Sequence, residues 1–120
     1  MPLPAKASPA DGTWLLPGKV AIQIMDCDAA LCGRLVWLHN PSLRTSEFCG
    51  RTIVWGLAPA GPLQWSGGWI FDPEDRTTYN LAATLEGSDT ISARIYESLE
   101  ILGETKTLNR IEPGSLPGWC

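Results

Sequence analysis

Apolar and polar residues alternate along much of this chain, and a period of two predicts β-strands with one face in a core. In residues 19–26, Val20, Ile22 and Ile24 share one face, while Lys19 and Gln23 lie on the other. Residues 77–86 alternate most regularly of all. The pattern therefore predicts short, half-buried strands as the main elements of the fold.

Turn-forming residues separate these segments. Pro17-Gly18, Asp72-Pro73 and Gly87-Ser88 each mark a turn between two apolar stretches. The chain thus predicts about eight short strands, with no helix long enough to cross over a sheet and no internal repeat. An all-β antiparallel meander of this kind closes into a barrel or a sandwich.

The densest apolar run spans residues 31–38, and its apolar side chains occupy both faces of the predicted strand. Leu35 and Trp37 share one face, and we expect the strand to be covered on both sides over part of its length. Gly33 predicts a bulge or a close backbone approach. Arg34 either bonds a carboxylate or backbone carbonyls, or lines a cavity and receives an anionic group.

Size and charge restrict the range of partners. The chain has 120 residues, with 13 acidic and 9 basic side chains and a formal net charge of -4, which favours one domain and argues against nucleic acid. No apolar run approaches the roughly 18 residues that cross a membrane, so we expect peripheral membrane contact or none.

We predict a flexible leader over residues 1–10, one β domain over 11–111, and a Pro/Gly tail over 112–120. We expect the protein to be a monomer or a weak homodimer.

Four cysteines are present: Cys27, Cys32, Cys49 and Cys120. Zinc sites use compact paired spacings such as C-x-x-C, which do not occur in this sequence, so we predict no metal and no cofactor. Disulfides formed in an oxidising compartment are the preferred interpretation, and four reduced buried thiols are the alternative. Four cysteines allow three connectivities, and the pairing stays open.

The sequence contains no recognisable catalytic motif, and we expect no enzymatic activity. The single histidine, His39, has no nucleophile motif such as G-x-S-x-G around it. Asp72, Glu74 and Asp75 are neighbouring carboxylates, but their place in a proline turn favours bonds from side chain to backbone. A remote enzymatic alternative requires Asp72 and Arg94 in one cleft.

Aromatic side chains are abundant enough to line a ligand cavity. A closed barrel of about eight strands either fills its interior with side chains or holds one small molecule. We predict a binding module for a small apolar or amphipathic molecule, with these cavity candidates: Trp37, Trp55, Tyr79, Tyr96, Arg34 and Arg94. The alternative is a protein-interaction or inhibitor domain that acts through its outer face and loops, with an exposed apolar patch around Trp65 and Trp69.

Several of these segments together resemble a bacterial family of uncharacterised exported domains, known only as a domain of unknown function. The resemblance extends over residues 11–111 and rests on Gly12-x-Trp14, residues 31–38, Cys49-Gly50, Asp72-Pro73-Glu74-Asp75 with Tyr79, Arg94-x-Tyr96 and Arg110. It implies a lipocalin-like β-barrel, an export signal in the natural precursor and a periplasmic or secreted location. It implies no activity, because the family has no established one.

The chain also departs from the family pattern, which makes any ligand of relatives a poor guide to a ligand here. The departures are Arg76 for a glycine, Ile95 and Ser98 for glycines, Glu104 for a basic residue and Leu108 for a tryptophan.

Overall fold

Eight antiparallel strands form one closed barrel in the computed structural model, which describes residues 8–120. Each strand pairs with the next along the chain, and the last pairs with the first. The strands are β1 (Gly12–Leu16), β2 (Val20–Cys27), β3 (Ala30–Leu38), β4 (Thr52–Gly61), β5 (Gln64–Asp72), β6 (Thr77–Glu86), β7 (Thr90–Tyr96) and β8 (Glu104–Ile111). The prediction of an all-β antiparallel barrel is confirmed. Single 3₁₀ turns, Pro41–Leu43 and Glu100–Leu102, lie in the β3–β4 and β7–β8 connections.

The barrel core consists of the apolar side chains that alternate inward along the strands. Leu81, Ala83 and Leu85 of β6 are all buried, as the alternation predicts. The largest side chains with almost no exposure are Trp14, Ile22, Leu35, Leu38, Ile53 and Val54. Every strand therefore turns one face to the core, which fixes its register.

A bulge in β3 changes which face its side chains occupy. Ile22 of β2 pairs with Leu35, but the neighbouring Ala21 pairs with Trp37, so Val36 is an additional residue on β3. Because of this insertion, Trp37 points outside the barrel, and the prediction that it shares a face with Leu35 is wrong.

Gly33 lies where β3 passes close to neighbouring side chains. A Cβ atom at this position would lie 2.8 Å from Cγ2 of Ile22 and 2.9 Å from Cδ1 of Ile24. The pairing of β3 with β4 also shifts on both sides of Gly33. The expected close approach and irregularity at this glycine are therefore both present.

Side chains from β1 and β8 close one end of the barrel. The indole of Trp14 is fully buried and donates from Nε1 to the Ala10 carbonyl oxygen over 2.8 Å. The Arg110 guanidinium lies 4.3 Å from the Trp14 ring centroid and donates to the Asp11 carbonyl oxygen. Ala10, within the predicted leader, is thus part of the core, whereas residues 1–7 lie outside the described residues.

The C-terminal tail packs against the outer face of β3. Trp37 donates from Nε1 to the Pro117 carbonyl oxygen, and the Cys120 amide donates to the Val36 carbonyl oxygen, both over 2.8 Å. A disulfide joins Cys49 to Cys120, and a second joins Cys27 to Cys32 across the β2–β3 turn. The predicted disulfides are present, and their pairing is now defined.

Candidate functional site

A cavity of about 580 Å³ opens at the end of the barrel opposite Trp14. The β1–β2, β5–β6 and β7–β8 connections surround its mouth, because in an up-and-down barrel alternate connections lie at the same end. Its inner wall is aliphatic and includes Leu16, Val20, Ile53, Ile70 and Ile95. The cavity is thus a chamber with an apolar inner wall and a mouth at this end of the barrel.

A second, smaller space of about 40 Å³ lies deeper in the barrel. Its lining is apolar apart from Lys106, and Trp65, Leu81 and Leu108 contribute to it. Leu16, Ile70 and Ile95 line both spaces. The interior is therefore filled by side chains towards the closed end and hollow towards the mouth.

Polar groups concentrate at the rim of the cavity, on the β1–β2 and β5–β6 connections. Lys19 donates from Nζ to Oε2 of Glu74 over 2.9 Å and lies 3.8 Å from Oδ2 of Asp72. Asp72 accepts the Glu74 amide over 2.8 Å, so its predicted role in stabilising the turn is confirmed. The hydrogen bond that Lys19 donates to Glu74 is the main reason that the pKa of Lys19 is raised above its usual 10.5.

Asp75 and Tyr79 form the second polar pair at the rim. The Tyr79 hydroxyl donates to Oδ2 of Asp75 over 2.5 Å, and the Thr77 amide donates to Oδ1 over 2.9 Å. The tyrosine bond is the largest cause of the lowered pKa of Asp75 and of the raised pKa of Tyr79. The pair therefore offers a fixed phenol and carboxylate to the polar end of a ligand.

Lys106 places a cation where the two spaces meet. It lies on β8 directly opposite Ala93, an inward-facing residue of β7, and lines both the main cavity and the deeper space. Its ammonium is 3.1 Å from Oε2 of Glu104, which also lines the cavity. A lysine can cover apolar surface with its methylene chain while its charge stays near water. Its inward position is not recognisable from the sequence because a lysine within a strand is usually on the outer face.

Two of the predicted cavity residues, Tyr79 and Tyr96, line the cavity. The other four predicted residues do not line the cavity. Trp37 lies beneath the tail, and Trp55 stacks against Trp69 on the outer face, with 6.3 Å between ring centroids. The sequence gives no signal for the aliphatic residues of the inner wall, because nothing distinguishes them from ordinary core residues.

Neither arginine of the predicted set lines the cavity. Arg34 is exposed and donates from Nε to Oε1 of Gln23 over 2.8 Å, because Gly33 and Leu35 occupy the inward positions of β3. It therefore bonds neither a carboxylate nor backbone carbonyls, and it does not face the interior. Arg94 lies on the outer face of β7 and bonds the following loop, so the pairing of Arg94 with Asp72 in one cleft is not formed.

Residues 99–102, which we call the lip, project apolar side chains beside the cavity mouth. Leu99, Ile101 and Leu102 are 59%, 81% and 74% exposed, and the two leucines also line the cavity. Arg94 holds this segment by donating to the carbonyl oxygens of Glu100 and Ile101 over 2.9 and 3.0 Å. The lip is therefore an ordered apolar edge at the entrance.

The aromatic pair on the exterior consists of Trp55 and Trp69, whereas the prediction was a patch around Trp65 and Trp69. Trp65 is buried inside the barrel, whereas Trp69 is 43% exposed and has Trp55 beside it.

Within residues 8–120, no cluster of potential metal ligands occurs, and no helix has the length and hydropathy of a membrane span.

Comparison with known proteins associates the chain with bacterial proteins of unknown function. A family described as "Uncharacterized protein conserved in bacteria (DUF2147)" matches residues 12–110. Among solved structures, the chain is similar to HP1028 of Helicobacter pylori, described as belonging to the lipocalin family. The TM-score is 0.67 at 14% identity, with 85% of this chain and 82% of that chain covered. No curated protein matches the chain. At this identity, the likeness establishes the lipocalin-like fold alone.

Proposed function

Because this chain belongs to the uncharacterised bacterial family DUF2147 and has a lipocalin-like fold, we propose that it binds one small amphipathic molecule inside its barrel. The observation that carries the proposal is the open cavity of about 580 Å³ with an aliphatic wall and a polar rim. Ligand sites generally have volumes of roughly 300–1,000 Å³, with mostly apolar linings and a few polar groups that orient the ligand.

The distribution of polar groups determines the orientation that we propose. The apolar part of the ligand contacts Ile53, Ile70 and Ile95, while its polar group lies at the rim near Tyr79 and Lys19. This arrangement removes apolar ligand surface from water, at about 25 cal/mol per Å². It also leaves the polar group hydrated or hydrogen-bonded, which avoids the cost of burying it without a partner.

We further propose that the protein works in the periplasm or outside the cell. The two disulfides support this location, because such bonds persist in oxidising compartments and are rare in the cytosol. The apolar lip beside the entrance supports a function in which the ligand enters and leaves at this end.

A cavity-filling substitution tests the proposal. Ile95→Trp puts an indole into the chamber, and Ser92→Trp is the matched control, because Ser92 lies on the same strand with its side chain on the opposite, outer face. We expect Ile95→Trp to weaken binding of the apolar fluorophore N-phenyl-1-naphthylamine by about tenfold or more, with Ser92→Trp unchanged.

Native mass spectrometry of the protein from its own host supplies the second measurement. We expect an additional mass on the wild-type protein that disappears on denaturation and is reduced in Ile95→Trp. Unchanged fluorophore binding by a folded Ile95→Trp protein, together with a bare polypeptide mass for the wild type, would contradict the proposal.

A further inference from the structure

Two tryptophans lie side by side on the outer face of the barrel, away from the cavity. Trp55 of β4 pairs directly with Trp69 of β5, so both side chains project from the same face. Their ring centroids are 6.3 Å apart and their planes differ by 28°. Trp69 remains 43% exposed. Neither tryptophan belongs to a core cluster of the described residues.

Gly56 holds the Trp69 indole flat against the sheet. A Cβ atom at position 56 would lie only 2.7 Å from Cζ3 and 3.0 Å from Cε3 of Trp69, so the six-membered ring rests on the backbone of β4. The backbone φ at Gly56 is +68°, a conformation that also favours glycine. One face of the indole therefore contacts the strand, and the opposite face is directed to solvent.

The next strand adds a hydrogen-bonding group to the same row. Asn80 of β6 pairs directly with Trp69 and donates from Nδ2 to the Glu97 carbonyl oxygen over 2.9 Å. Within residues 8–120 its amide oxygen accepts no hydrogen bond, and it is only partly buried. We call Trp55, Trp69 and Asn80 the aromatic row; all three are uncharged in a chain with a net charge of -4.

We propose that the aromatic row binds a linear glycan of hexopyranose rings. The C–H face of such a ring is apolar and flat enough to contact an indole, and its hydroxyl groups can bond the Asn80 amide. Trp69 supplies the exposed indole face, and the partly buried Trp55 beside it extends the aromatic surface. The row has no charged side chain, so it suits a neutral ligand better than a cation or an anion.

The indole N–H signals in a ¹H–¹⁵N spectrum test this site in the intact protein. The probes are chitotetraose and cellotetraose, titrated separately. We expect saturable shifts of the Trp55 and Trp69 signals. Trp14 and Trp37, whose N–H groups already donate to backbone carbonyls, serve as internal references and should not move.

A pair of variants separates this site from the cavity. Trp69→Ala should weaken glycan association by about tenfold and leave fluorophore binding in the cavity unchanged. Leu63→Ala, which removes another exposed apolar side chain, should alter neither.

Three outcomes would overturn the proposal: no saturable shift with either glycan, shifts confined to the buried Trp65, or equal binding by Trp69→Ala. If Trp69→Ala instead abolishes binding to a purified host protein while neither glycan shifts the signals, the row is a protein contact and the glycan proposal is wrong.

Discussion

Asp11 carries a carboxylate in an unfavourable position near the closed end of the barrel. Its Oδ1 atom is buried and accepts no hydrogen bond within residues 8–120. Burial is the main cause of its raised pKa, and the nearby Asp26 adds to the effect. The ionised form is therefore less favourable in the folded protein than in the unfolded chain.

Replacing this carboxylate should stabilise the protein. An acid whose pKa is higher in the folded state destabilises the fold as the pH rises through its unfolded value, here 3.8. We expect Asp11→Asn to raise the melting temperature at pH 7 and to have no effect well below pH 3.8, as measured by circular dichroism at both pH values. A lower melting temperature at neutral pH would show that the carboxylate has a favourable partner in solution.

Asp75 and Tyr79 should titrate as a linked pair at the cavity rim. The lowered pKa of Asp75 stabilises the fold above pH 3.8, and this contribution is lost as the pH falls through the folded value. The raised pKa of Tyr79 stabilises the fold below pH 10.0, and this contribution is lost as the pH rises through the folded value. We expect Asp75→Asn to lower the pKa of Tyr79 in an ultraviolet titration, with Tyr79→Phe identifying the signal. An unchanged phenol titration would mean that the hydrogen bond does not persist in solution.

At the scale of the element, Arg94 determines the order of the lip. Its guanidinium donates to two carbonyl oxygens of the lip and to Oγ1 of Thr105, at 2.9 to 3.0 Å. Arginine presents several donors in a fixed plane, and lysine cannot reproduce that geometry. The hydrogen bonds to the lip therefore account for the outward position of Arg94, and no ligand is needed to explain it.

Removing these bonds should release the lip without unfolding the barrel. We expect Arg94→Ala and Arg94→Lys to increase amide hydrogen exchange in residues 99–103 by about tenfold. Arg34→Ala, which removes a single exposed bond to Gln23, should leave exchange there unchanged. Equal protection of the lip in all three variants would show that packing at the cavity mouth, and not Arg94, orders the lip.

At the scale of the molecule, the two disulfides constrain the chain to very different extents. Cys49 and Cys120 are 71 residues apart, whereas Cys27 and Cys32 are 5 apart. The loop-entropy relation gives about 4 kcal/mol for the longer loop and about 2 kcal/mol for the shorter one. The longer bridge also holds the tail over Trp37.

Serine replacements should reproduce this difference. We expect the double variant Cys49→Ser/Cys120→Ser to lose about 4 kcal/mol of unfolding free energy, and Cys27→Ser/Cys32→Ser about 2 kcal/mol, in urea denaturation. The first variant should also expose Trp37 to fluorescence quenching by acrylamide. Equal losses for the two variants would contradict the loop-length argument.

The candidate site was less predictable than the fold. Tyr79 and Tyr96, two of the expected cavity residues, border the cavity: alternation puts Tyr79 on the same face of β6 as the buried Leu81, and Tyr96 ends β7 beside the cavity mouth. Trp37 was misplaced because one additional residue in β3 reverses the face of every side chain beyond it. Trp55 was misplaced because a strand with apolar residues on both faces does not indicate which face is inside.

Alternation and turn residues are local features of the sequence, and they are sufficient to predict about eight strands in an antiparallel meander. The folded chain is needed to define the disulfide pairing, the inward position of Lys106, the outward positions of both arginines and the hollow chamber. The Cys49–Cys120 bridge and the chamber depend on residues that are distant in the chain and come together only in the closed barrel. A cavity in particular is volume that side chains leave unfilled, and such volume depends on how all the strands pack together.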